Sequence, residues 1–239
     1  METKLKNKSK DVAEATKEQP EIYSPIHKGL RARLFKVSVN AGKIDHTDQD
    51  ALNAFYEDFS SLVASIRSHH TMEERFYHPL LAERVPGGAE QLEEEHQTVE
   101  HLMNNLVAHL EMIKGKSTKF EKRKELCREF YLAFNRFIAF FLNHINDEEE
   151  HYEPTLRNLC TIEELDNAEI SLVGSQKPEE GLENWQMMVS GANAEELANV
   201  VVRARIALPA EVIQAGLQLA EGALSARDFT TLKAKAGIK

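Results

Sequence analysis

A chain of 239 residues, 42% hydrophobic and 28% charged, suits one medium-sized core with appendages, and seven prolines and eleven glycines leave room for long helices. A net charge of −10 argues against nucleic acid as a partner, and no apolar run approaches the roughly 18 residues expected of a membrane span. Two cysteines, Cys127 and Cys160, make neither a disulfide framework nor a CxxC pair, so a reducing cytoplasm is the expected compartment. The opening residues 1–20, METKLKNKSKDVAEATKEQP, carry lysines but no apolar signal core and fit a disordered lead-in.

The first amphipathic segment runs Tyr23, His27, Leu30, Leu34 and Val37, the three-and-four spacing of a helix with one buried face. A longer seam takes Leu52, Phe55, Phe59, Leu62, Ile66, His69, Glu73, Phe76 and Leu80, predicting one continuous helix with a histidine and a glutamate inside its buried stripe. The third passes through Leu92, His96, Val99, Met103, Leu106, Leu110 and Ile113, with Glu100 one turn after His96 on the adjoining edge. The fourth, Cys127, Phe130, Phe134, Phe137 and Phe141, runs on into His144 and Glu148.

The stretches NAGKIDHTDQD, RVPGGAE and KGKST read as the connections, with Ser117 or Thr118 capping the fourth helix. An all-α, up-down-up-down four-helix bundle over residues 21–158 is the economical architecture. In it, helix starts one and three lie level with helix ends two and four, so His27, His69, Glu73, His96, Glu100, His144 and Glu148 meet at one end of the core. A single seam histidine is ordinarily a core residue with a hydrogen-bond partner. Four of them, three paired with glutamate at one spacing, point to a metal.

Buried unpaired ions carry a penalty of about several kcal/mol each, so the three carboxylates need positive charge among them. Arg31, Arg67 and Arg136 lie on neighbouring faces, which leaves metal as the natural counter-charge. Residues at i and i+4 sit about 40° apart on a helix and can reach one metal or two adjacent ones. Seven nitrogen and oxygen ligands exceed one tetrahedral zinc and suit two five- or six-coordinate ions sharing a carboxylate and a solvent-derived oxygen. Thiolate-free ligation is consistent with iron or manganese.

HHTMEERFYHPLL and HINDEEEHYEPTL both follow H-x3-E-x5-P, with His69, Glu73 and Pro79 repeated as His144, Glu148 and Pro154 after 75 residues. Together with IHKGLR and EEEHQTVEHL they resemble the ligand motifs of hemerythrin-like, or HHE cation-binding, domains over residues 20 to 158. The resemblance implies a non-haem di-iron centre, oxo- or hydroxo- and carboxylate-bridged, held by His27, His69, Glu73, His96, Glu100, His144 and Glu148, with Mn or Zn also compatible. Its ligand would be O2, another small diatomic or peroxide. Oxygen-carrying hemerythrins use five histidines and two carboxylates, whereas Glu100 here stands where they have a second histidine. An added carboxylate favours the ferric state, so the expectation is a protein that binds or senses O2, iron or redox state. Consumption of peroxide or nitric oxide and iron storage are the alternatives.

The remaining histidines and acids are expected off the site: His70 and His101 beside the seams, His46, His78 and His109 facing solvent, His151 at the site's edge, and Glu74, Glu94, Glu95, Glu149 and Glu150 as solvated charge. Residues 159–239 form a helical C-terminal extension with capping boxes at Thr161 and Asn193 and proline at a first helical position, Pro209. Trp185, Met187 and Met188 read as exposed. The extension is expected to cover the bundle, with self-association or a protein partner as the alternative. Nothing in it resembles a nucleotide-binding loop, a nucleophile elbow or a zinc finger.

Overall fold

The computed structural model describes residues 21–115 and 118–238, except for the side chain of Phe120. The expected lead-in over residues 1–20 and the candidate cap Ser117 lie outside the described residues. Every regular element among those described is helical: α1 (Ser24–Ala41), α2 (Gln49–Phe76), α3 (His78–Arg84), α4 (Glu90–Lys114), α5 (Phe120–Asp147), a π-helical turn (Glu148–Tyr152), α6 (Glu153–Leu159), α7 (Ile162–Ser175), α8 (Pro178–Val189), α9 (Ala194–Ala207), α10 (Ala210–Ala223) and α11 (Ala226–Lys235). None is long and apolar enough to cross a membrane.

The four long helices bury the stripes that their spacing marks out. Helix α1 packs against α2 and α5, and α4 packs against the same two, so all four share one core. At its centre Phe59 meets Phe130 and Phe134 edge-to-face, both with ring centroids 5.3 Å apart. Such a pair contributes about 0.5–1.5 kcal/mol beyond the area it buries. Asp48 caps α2 by accepting from the N–H groups of Asp50 and Ala51. Thr118 caps nothing: its hydroxyl donates to the Met112 carbonyl, and Lys119 precedes α5 without a side-chain cap.

The second helix does not run unbroken to Leu80. It ends at Tyr77, because Pro79 has no N–H for the carbonyl four residues back and sits instead in the first turn of α3, where none is required. Pro154 occupies the first turn of α6 in the same way, after the π turn. Across that turn the buried positions step five residues, from Glu148 to Glu153, as π periodicity demands. The shift turns Glu153 toward the start of α1, where its carboxylate accepts from the Ile22 N–H at 3.3 Å and from Arg157 at 2.7 Å.

The C-terminal helices lie on the bundle, α7 against α2 and α8 against α1. Both expected capping boxes form: Thr161 with Glu164, and Asn193 with Glu196. Pro209 stands at the cap of α10 rather than in its first turn. Trp185 and Met187 are buried rather than exposed, and Met188 is half-buried. Met187 belongs to the bundle core, while the indole N–H of Trp185 donates to the Gly216 carbonyl at 2.6 Å. Residues that look exposed on a short helix are thus the ones that dock it.

That docking requires glycine. A Cβ at Gly29 would stand 2.6 Å from the Met187 carbonyl oxygen, and one at Gly191 would strike the Lys28 carbonyl and come within 2.8 Å of the Gly29 nitrogen. Overpacking typically costs about 1–3 kcal/mol, so Gly29→Ala is expected to lower unfolding stability by at least that much in denaturant melts. Gly222→Ala on α10, with nothing within 4 Å of its Cβ, should be neutral or slightly stabilising.

A buried ionic group joins α7 to α9: Arg203 reaches Asp166 at 3.3 Å and Glu169 at 3.2 Å. Burial pushes the Glu169 carboxyl up to about 7, with Arg203 opposing and Asp166 adding to the rise. Its folded value lies above the unfolded one, so the folded chain holds the extra proton and stability falls as pH rises between about 4.5 and 7. Melting temperatures of Glu169→Gln should therefore decline less than those of the parent across that window.

Candidate metal centre

Each long helix, or its immediate continuation, delivers part of one cluster. His27 comes from α1, His69, His70 and Glu73 from α2, His96 from α4, His144 from α5 and Glu148 from the first position of the π turn. All are buried, His27 and Glu148 completely. His69/Glu73 and His144/Glu148 are i,i+4 pairs, which puts each glutamate over its histidine at 3.1 Å and 3.5 Å.

The donors form two lobes. His27, His69, Glu73 and Glu148 make one, with the Nε2 atoms of His27 and His69 3.0 Å apart. The other consists of His70, His96 and His144. Both carboxylates span the gap between lobes. Glu73 places Oε1 3.1 Å from His69 and Oε2 3.5 Å from His96. Glu148 places Oε2 3.3 Å from His27 and Oε1 3.5 Å from His144 and 3.7 Å from His96.

Three further carboxylates orient the rings from outside. Glu149 lies 2.9 Å from Nδ1 of His27, Glu74 2.9 Å from Nδ1 of His96, and Glu95 2.8 Å from Nδ1 of His144. An ionised carboxylate only accepts, so each Nδ1 carries the hydrogen and donates it, leaving Nε2 to face the cluster. Glu74, Glu95 and Glu149 are therefore partners of the site rather than solvated charge. Arg31 also donates to Glu149, at 2.7 Å.

Glu100 is not part of this cluster. It is 43% exposed and is gripped by the Arg67 guanidinium, whose Nε lies 2.9 Å from Oε2 and whose Nη2 lies 2.7 Å from Oε1. One turn beyond His96, it faces across to α2, and Arg67 holds its carboxyl below the usual range. His70 occupies the interior instead, stacked on His96 with ring centroids 3.8 Å apart and planes 2° from parallel. The spacing signal was available: His70 stands three residues before Glu73, the other helical neighbour distance. His78 is likewise buried rather than solvent-facing, its ring 5.1 Å from His96, and burial lowers it to about 4. His109 is half-buried, His101 is exposed, and His151 is exposed beside Asp147.

The cluster is electrostatically incomplete. Both oxygens of Glu73 and Glu148, and Nε2 of His70, His96 and His144, are buried with no hydrogen-bond partner. Burial and the Glu148 charge push Glu73 up to about 7. Burial would raise Glu148 too, but His27 and His96 hold it well below the carboxylate range. Burial would lower His27, yet Glu148, Glu149 and Glu73 push it well above its ordinary value. Burial lowers His69 and His70 well below theirs. Convergent lone pairs, two shared carboxylates and imidazoles with Nε2 turned inward fit a pair of cations.

A family model, the Hemerythrin HHE cation binding domain, matches residues 21–156. Comparison with curated proteins and with solved structures returned no match.

The two competing positions are separable by metal analysis. His70→Ala is expected to lower the metal retained after dialysis, by emptying or weakening the three-histidine lobe. Glu100→Ala should leave metal content unchanged, because its carboxylate is spent on Arg67; the reverse pattern would restore Glu100 as a ligand.

Proposed function

The chain belongs to the hemerythrin HHE cation-binding domain family, and on that premise we propose that it is a non-haem di-iron protein that binds or senses O2 or a similar small ligand. The observation that carries the reading is the pair of buried carboxylates, Glu73 and Glu148, each turned with one oxygen to either lobe. The four long helices are taken as an up-down-up-down bundle, supported by the packing of α1 and α4 on both α2 and α5.

With His70 included and Glu100 set aside, the donors number five histidines and two glutamates. The extra carboxylate that pointed away from oxygen carriers is no longer in the set, which favours reversible binding of a small molecule. The same donors suit manganese or zinc as well. Two irons held there would supply redox change and open coordination positions.

The chain's own residues do the rest. Glu149, Glu74 and Glu95 fix three imidazoles in the tautomer that presents Nε2, and they strengthen those rings as donors. Phe141 and Tyr23 exclude water: Phe141 lies against His70 and His144, and Tyr23 stacks on His27 at 5.3 Å. The cluster is thus pre-oriented, and shielded on the faces that these two rings cover. Cys127 and Cys160 are free thiols, which supports a reducing, cytoplasmic setting.

Iron loaded anaerobically into the full chain should bind at two per chain. Admission of air should then produce a near-ultraviolet band that the zinc-loaded protein lacks, reversed on removing O2 or adding dithionite. Fewer than two metals, or no spectral response to air, would sink the proposal. Sustained turnover of peroxide or nitric oxide would replace binding with catalysis.

A further inference from the structure

A cavity of about 150 Å³ lies between the bundle and the C-terminal helices, reaching from residues of α7–α10 down to His69 and Glu73. Its wall is largely aliphatic and aromatic, with Ile26 and Met72 from the bundle and Leu172, Trp185, Val201 and Ile213 from the extension. Trp185 spends its N–H on the Gly216 carbonyl, so the indole contributes hydrocarbon surface. A volume of about this size with a mainly apolar wall matches molecules such as benzene or xenon.

We propose that this cavity, walled by the C-terminal helices, is a binding site for a small uncharged apolar molecule, up to about the size of benzene, seated against His69 and Glu73. The placement beside bound metal rests on the function proposed above; the cavity does not. Charge excludes the alternatives. No lysine or arginine is among the lining residues, and Glu21, Glu73 and Glu169 would repel an anion. A cation would meet the Glu21 carboxylate at the rim, but deeper in, Glu169 is engaged by Arg203 and both Glu73 oxygens are buried toward the histidines. His69 and Glu73 are the lining residues that are also cluster donors, so the inner end of the cavity lies against the cluster. The facing wall is supplied by helices beyond residue 156, where the family match ends.

The test uses the full-length protein loaded with zinc or with iron, its metal content measured, and follows fluorobenzene by 19F NMR. Saturable one-to-one binding is expected in both forms, with faster relaxation of the bound signal beside iron kept ferrous under anaerobic conditions. Ala204→Phe, which fills the cavity from α9, should weaken binding about tenfold or more while metal content stays the same. Should that variant not fold, competition by xenon against fluorobenzene in the parent protein serves instead, and its absence counts against the cavity. Failure of the parent to bind fluorobenzene in either form overturns the proposal, as does tighter binding of benzylammonium. Equal relaxation in chains shown to hold two irons overturns the placement. Binding without iron uptake upholds the cavity and removes the di-iron reading.

Discussion

Two glutamates, Glu73 and Glu148, sit almost fully inside a helical core where, among the described residues, no lysine or arginine bonds to either, and the rest of the molecule is arranged around that burial. Taking an ion out of water carries a penalty of about several kcal/mol even after relaxation, and two like charges facing each other add to it. Five imidazoles offset part of this. The rise of His27 well above its ordinary pKa, against the opposing effect of its own burial, registers how strongly the two acids draw positive charge inward. Nitrogen lone pairs directed at the same space as unpaired carboxylate oxygens are what a protein presents to cations.

The helices meet the geometric demand with a repeated device. In each half of the bundle a histidine and a glutamate four residues apart close a long aromatic or aliphatic seam, and a proline six residues later ends the run. The breaks matter because the helix should not carry its buried stripe past the cluster. At Tyr77 the chain restarts as a short helix. After Asp147 it widens into a π turn, which keeps Glu148 in register with His144 and rotates everything beyond it. Glu153, displaced by that rotation, then holds the backbone at Ile22, just before the helix that supplies His27. The second motif thereby steadies the entry of the first helix.

Much of this was legible in the sequence, because burial in long helices writes itself at a fixed period. The four seams, the two motif repeats and the capping boxes each follow from local spacing. Six of the seven candidate ligands come together; Glu100 and His70 changed places because a spacing of four and a spacing of three both count as neighbours on a helix. What decides between them is the partner across the groove, here Arg67, and its position depends on how α2 and α4 pack. The same limit hid Trp185 and Met187: a short helix with a modest apolar stripe does not declare what it docks against. Glu74, Glu95 and Glu149 were unreadable for a related reason, since a carboxylate at a protein surface looks alike whether it faces water or an imidazole.

The C-terminal helices alter the setting of the two lobes differently. Toward solvent, His70 and His96 border a polar cleft that includes Arg67, Glu74, Glu100 and Asn104, so the three-histidine lobe is approached through charged and hydrogen-bonding groups. On the other side, His69 and Glu73 border an apolar cavity roofed by α8, α9 and α10. A hydrated ion or a proton is stabilised along the first approach and disfavoured along the second, whose wall is mostly apolar. An uncharged diatomic or hydrocarbon experiences the opposite preference. The asymmetry in donor number is therefore matched by an asymmetry in access, and the second depends on helices held in place by the glycine contacts at Gly29 and Gly191. A bundle alone would leave His69 and Glu73 closer to water; the extension makes that side of the cluster selective for what water dissolves poorly.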